Sequence, residues 1–272
     1  VESIAFSEAA LQSAELIGSR AASGKIDIAI IAPLAFRGVC DLIANPATIP
    51  YGGLPGFPVG DAVGEGVAMI GAVNDLSVLF LIGAPAFAVT GDPALMSGPI
   101  ETLAALGVRC ALMLDIAHSV NGDCGPGSLV AVSDHINFGG IDPLIGDPAA
   151  VGALDMNEPY DGRLLRRLKL SSVSADIALR DGVLMWFSGP SWQTRAEARV
   201  ARLLKADLIG CGIAPEAVLA RRMKVPFAAI VLVPGYAAGF SGGEPTTSQA
   251  QTAIRNGTKG IRRLLGYFLR GG

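Results

Sequence analysis

Between Gly189 and Arg222 a turn signal, two helical patterns and one short apolar run follow one another without a spacer. Gly189-Pro190-Ser191 is the turn. Ala196, Val200, Leu203 and Leu204 then recur at helical spacing, with Arg195, Glu197, Arg199 and Arg202 on the opposite face. Asp207-Leu208-Ile209-Gly210-Cys211-Gly212 reads as a buried strand that ends in glycines. Ala214-Pro215-Glu216 opens a second helix, with proline in the first turn, where its missing N–H removes no helical bond. Such a helix–strand–helix unit belongs to an open α/β fold, whose ligands gather at strand ends.

Other apolar runs extend this pattern. Ile26–Ala32, Val67–Val73, Leu76–Ile82, Cys110–Leu114, Ser128–Val132, Gly182–Phe187 and Phe227–Val233 read as strands, and most are apolar throughout, as sheets covered on both faces require. Helices are expected over Ser7–Ala22, Pro93–Leu106, Asp161–Ser174 and Thr247–Leu269. The expected fold is α/β, one domain over residues 1–272, with strands and helices mixed along the chain. A hydrophobic share of 51% against 17% charged residues leaves apolar surface for burial between subunits.

The same numbers exclude several classes. Val78–Val89 and Val225–Phe240 are too short or too interrupted by Gly and Pro to span a bilayer, so no membrane role is expected. Net charge is −3 and no basic block points to nucleic acid. Arg163, Arg166, Arg167 and Lys169 alternate with leucines as on a solvated helix face. Cys40, Cys110, Cys124 and Cys211 have no metal-ligand spacing, and no metal or cofactor is expected. No leader pattern opens the sequence, and a reduced, cytoplasmic protein is the expectation. Asp115–Gly127 reads as a loop after a buried strand. Asp123 and Cys124 are taken as exposed loop residues, while Asp115 and His118 stay open as candidate acid–base groups.

Four stretches together resemble the trimeric purine nucleoside and methylthioadenosine phosphorylases: Ile49–Pro58, Ser133–Gly146, Gly189–Val200 and Ala206–Arg221. The resemblance implies a mixed central sheet partly closed into a barrel and flanked by helices. It also implies a homotrimer and cleavage of a purine nucleoside by phosphate near a subunit boundary. Against that pattern the chemical positions are changed. The phosphate-binding serine position is Leu34, and the Gly-Arg-x-His element reads Gly83-Ala84-Pro85-Ala86, so Ala84 and Ala86 replace Arg and His. Glu65 replaces a phosphate-side histidine, Asp115-Ile116-Ala117-His118-Ser119 replaces Asn-Ala-Ala-Gly-Gly, and Cys211-Gly212 replaces Met-Ser. On the base side Gln193 replaces a glutamate, and Pro234 stands where the family has asparagine.

Each hydrogen bond to a charged group contributes roughly 1.5–3 kcal/mol, so losing three or four around a phosphate dianion removes on the order of 5–10 kcal/mol. The expectation is a phosphorylase-family protein without classical phosphorolysis, a candidate pseudoenzyme. Its pocket would be lined at the base end by Ile116, Ala117, Trp192, Gln193, Ile209, Cys211, Gly212, Val233 and Pro234. Its other end would be made anionic or weakly polar by Glu65, Asp115 and His118, favouring a nucleoside or other neutral heterocycle. Two alternatives stand beside it. One is a nucleosidase or other hydrolase in which Glu65, Asp115 and His118 activate water. The other is an ordinary phosphorylase with a displaced phosphate site.

Overall fold

A computed structural model describes residues 5–59, 66–83, 91, 94–146, 154–240 and 245–270. Ten strands form one mixed sheet in the order β2-β3-β4-β1-β5-β10-β7-β8-β9-β6. They are β1 (Ile28–Ala32), β2 (Ala47–Pro50), β3 (Val67–Val73), β4 (Leu76–Ile82), β5 (Cys110–Ile116), β6 (His118–Ser119), β7 (Leu129–Asn137), β8 (Leu179–Trp186), β9 (Leu208–Gly210) and β10 (Phe227–Leu232). The centre, β4-β1-β5-β10, is parallel, whereas β2-β3-β4 is antiparallel and β7 meets β10 antiparallel.

The apolar runs are buried on both faces, and the alternation of each strand decides which helices it meets. On β5, Ala111 and Met113 join the core under α1 (Glu8–Gly18), α2 (Ala94–Ala105) and α5 (Ala214–Arg222). Cys110, Leu112 and Leu114 join the opposite core under α3 (Gly162–Ser174) and α6 (Thr247–Phe268). The same split runs along β10, with Ala229 and Val231 on the first face and Ile230 and Leu232 on the second. The remaining helix, α4 (Arg195–Leu203), packs beside β9.

Partial closure takes a specific form. After Ala117 the chain of β5 continues as β6, which pairs antiparallel with β9 at the far edge of the sheet. The sheet therefore curls until its central strand runs back towards its own edge. The hydrogen-bonded ladder itself stays open, between β2 at one edge and β6 at the other.

Several elements differ from the sequence expectation. Asp115 is the penultimate residue of β5, and His118 lies in β6, so the expected loop after Leu114 starts later. β7 runs on through Asp134 to Asn137 with a register shift at Val132–Asp134, because the parallel partner β8 continues beside it. Leu34–Leu42 winds as a 3-10 helix, with Phe36, Val39 and Cys40 buried. No helix among the described residues is long and apolar enough to cross a membrane.

Candidate functional site

The curl of the sheet leaves a cavity of about 490 Å³ between β6, β9, the approach to α4 and the first turns of α6. Its walls include Ile116, His118, Trp192, Gln193, Ile209 and Pro234. Strand alternation explains this membership. Ile116 and His118 have the parity of Leu112 and Leu114 and face α6, and Pro234 has the parity of Leu232. Ala117 and Val233 have the other parity and are packed in the opposite core. Of the expected lining, Ala117, Val233, Cys211 and Gly212 therefore stand outside this wall, although Cys211 touches it through Gln193.

Trp192 and Gln193 are held by the helix that follows them. Thr194 caps α4 by accepting the Glu197 N–H at 3.2 Å, and the Glu197 carboxylate accepts the Thr194 N–H at 2.6 Å. That reciprocal cap fixes the entry of the chain, with Gln193 buried and its amide donating to the Cys211 sulfur at 3.6 Å. Trp192 stays 73% exposed and meets the His118 ring edge-on, centroids 4.5 Å apart. It stands at the mouth of the cavity and does not fill it. Among the described lining residues there is no carboxylate, lysine or arginine, and His118 is the single titratable side chain.

Asp115 points the other way, towards α5. Its Oδ1 accepts the N–H of Ile116 at 2.8 Å, and its Oδ2 occupies the space that any Cβ on Gly212 would need. Asp115 keeps some exposed surface but lies deep enough that desolvation pushes its carboxyl up to about 6. On the facing helix Glu216 is 5% exposed, and its Oε2 has no hydrogen-bond partner among the described residues. Burial, with a further contribution from the Asp115 charge, pushes it up to about 8. Desolvation first, then the same Asp115 charge, also raises the Cys211 thiol, against the hydrogen bond from Gln193. Asp115 and His118, adjacent in sequence reasoning, are thus sent to opposite faces of one extended segment.

The corner between β9 and α5 is strained. Ile213 adopts φ 80 and ψ −53, and the Ala214 N–H donates to the Gly212 carbonyl at 3.1 Å, closing a γ-turn around a β-branched residue. Such a conformation costs on the order of 1–3 kcal/mol and persists where the surroundings over-determine it.

The loops matched to the family's phosphate elements do converge. A Cβ on Gly83 would lie 3.1 Å from the Gly66 Cα and 3.5 Å from the Leu34 Cγ, so the side chain of Leu34 lies over Gly83. Leu34 is 45% exposed there and offers no donor. Glu65, Ala84 and Ala86 lie outside the described residues. Sequence reasoning missed Glu216 and the α6 contribution to the cavity, Thr247, Ala250 and Ile254. The first read as an ordinary acid in a helix's first turn, and no local signal says which face of α6 meets a cavity.

Comparison with known proteins bears on this arrangement. Residues 27–270 match the model of the phosphorylase superfamily. Purine nucleoside phosphorylase 1 of Bacillus subtilis is 31% identical over 206 residues, 74% of this chain and 76% of that protein. The purine nucleoside phosphorylase of Mycobacterium leprae is 31% identical over 237 residues, 86% and 85% of the two chains. A structure of Schistosoma mansoni purine nucleoside phosphorylase in complex with inosine superposes with a TM-score of 0.88 at 22% identity, covering 100% of this chain and 99% of that one. By sequence and by fold, the chain belongs to the purine nucleoside phosphorylase family of the phosphorylase superfamily.

Proposed function

We propose that this chain binds a nucleoside or another neutral heterocycle in the cavity under Trp192 and does not carry out classical phosphorolysis. One observation carries the reading: the Asp115 carboxylate fills the space beside Gly212, where the family motif has a phosphate-binding hydroxyl. A carboxylate there repels a phosphate dianion at neutral pH. Leu34, over Gly83, adds an apolar surface to the same end. The base end supports binding. A cavity of about 490 Å³ is within the ordinary range for small-molecule sites, roughly 300–1,000 Å³. Trp192 offers a ring face, and Gln193 offers amide donors and an acceptor to a heterocycle edge.

The hydrolytic alternative needs Asp115 and His118 to share a water, and their opposite orientation supports it less. Purified protein should show a rise in melting temperature of several degrees with saturating inosine or hypoxanthine, because a ligand bound by the native state alone stabilises it. Trp192→Ala, at an exposed position, should remove that shift while leaving the unliganded melting temperature within about a degree. A library of nucleosides and bases that produces no shift in the wild type would remove the binding role.

The same reading makes the protein a cytoplasmic homotrimer. Exposed Phe138 and Ile145, in one of the family-like stretches, supply apolar surface for a subunit boundary. Light scattering at micromolar concentration should give three times the chain mass of 27.8 kDa, and a monomer would refute the assembly.

A further inference from the structure

A second recess, of about 530 Å³, lies between the 3-10 helix and α6, lined by Ala35, Gly38 and Asp41 on one side and Arg255, Lys259 and Arg262 on the other. It adjoins the cavity described above, because Ile254 contributes to both walls. The two differ sharply in charge. The cavity holds no carboxylate, lysine or arginine among its described lining residues, whereas the recess holds three cations against one carboxylate.

The cations are not explained by the stability of α6. Arg255, Lys259 and Arg263 follow each other at i, i+4 and i+8, and like charges at that spacing destabilise a helix. Cations favour the last turn of a helix, but α6 runs from Thr247 to Phe268 and Arg255 lies in its first half. Arg262 pairs with Asp41 at 2.7 Å, and among the described residues Arg255 and Lys259 have no acidic partner. On α3, by comparison, Lys169 pairs with Asp181 and Arg167 donates to the Phe268 carbonyl at 2.6 Å. Arg255 and Lys259 thus bring positive charge without an acidic partner among the described residues to the wall of the recess.

We propose that this recess holds the phosphate of a phosphate monoester whose ring occupies the neighbouring cavity, making the preferred ligand a nucleoside monophosphate. The inference rests on the proposed heterocycle site and adds its second half. α6 rises about 1.5 Å per residue, so Arg255 and Lys259 stand about 1.5 and 7.5 Å along the axis from Ile254. That is within the span of one nucleotide. Arg255 supplies a fork of N–H donors suited to phosphate oxygens, and Lys259 a point charge. Gln251 and Thr258 complete a polar rim.

Calorimetric titration of the full chain with inosine, adenosine, their 5′-monophosphates and inorganic phosphate tests the assignment. At low salt a monophosphate should bind at least tenfold more tightly than its nucleoside. That ratio should shrink as salt rises, since screening weakens exposed charge pairs. The Arg255→Gln/Lys259→Gln double variant should bring the ratio close to one, while Arg163→Gln, on α3, should keep it. Nucleoside binding with no gain from the phosphate overturns the groove and leaves the cavity standing, as does a gain that survives in the double variant. Inorganic phosphate that binds alongside a nucleoside, through Arg255 and Lys259, overturns the monoester in favour of a free anion. Binding of neither nucleoside nor monophosphate overturns both readings.

Discussion

Pure protein supplied with inosine and phosphate will release hypoxanthine no faster than background. The physical reason is cumulative. Phosphorolysis needs the phosphate held at the right place before the glycosidic bond stretches, and every donor removed from that place costs binding and positioning together. On the proposed reading Leu34 and Gly212 stand at positions where the family has a hydroxyl, and neither side chain has a donor. Three or four lost charge-assisted bonds remove on the order of 5–10 kcal/mol, which is several decades in rate or affinity. The Asp115 carboxylate adds repulsion that no inward movement of Gly212 relieves, because it already fills the space. A single Gly212→Ser substitution will therefore not restore phosphate binding, since its Cβ collides with Asp115. Gly212→Ser combined with Asp115→Ala removes the charge together with the colliding carboxyl, and any recovery of phosphate affinity should appear in that double variant. An ordinary phosphorolysis rate from the wild type, abolished by Trp192→Ala, would contradict this account.

The relatives named as purine nucleoside phosphorylases share the scaffold with this chain, and the scaffold is what the sequence states most openly. Ile28–Ala32, Leu76–Ile82 and Phe227–Leu232 are strands because an apolar run of that length must be covered on both sides, and the structure covers each by helices. The site was legible in part. Trp192 and Gln193 reach the cavity because a capping box, visible as Thr194 followed by Glu197, fixes the chain in front of α4. Ala117 and Val233 do not, because a motif match places a residue near a site but strand alternation decides which side of the sheet it faces. Asp115 and His118 read together because both follow the same buried apolar run in the sequence. Only the extension of β5 through Ile116 reveals that they point apart. Glu216 was hidden for a related reason. An acid in the first turn of a helix ordinarily faces water and the helix dipole, and nothing local announces that α5 is buried almost all round.

That burial has a measurable consequence. Glu216→Gln should stabilise the protein increasingly as pH rises from about 5 to 8 relative to the wild type. In the unfolded chain the carboxyl ionises near 4.5, whereas in the fold desolvation, aided by the Asp115 charge, lifts it to about 8. Between those values the folded state binds more protons than the unfolded state, so stability falls as pH rises, by up to about 1.4 kcal/mol per unit for one group. The penalty is absent below the unfolded value, grows through the window and is complete above about 8. Asp115 adds a smaller penalty of the same sign between 3.8 and about 6. Because Asp115 ionises first, its charge acts on Glu216 while Glu216 is still neutral when Asp115 titrates. His135 works in the opposite direction: burial lowers it, so it costs stability as pH falls. The wild-type curve mixes all three, and the difference between the wild type and Glu216→Gln isolates one of them. Urea unfolding at half-unit steps of pH should give a difference of a few kcal/mol by pH 8 and little at pH 4.5. Parallel curves would mean that Glu216 ionises in the fold as it does in water, and that α5 opens to admit solvent to the orphaned Oε2.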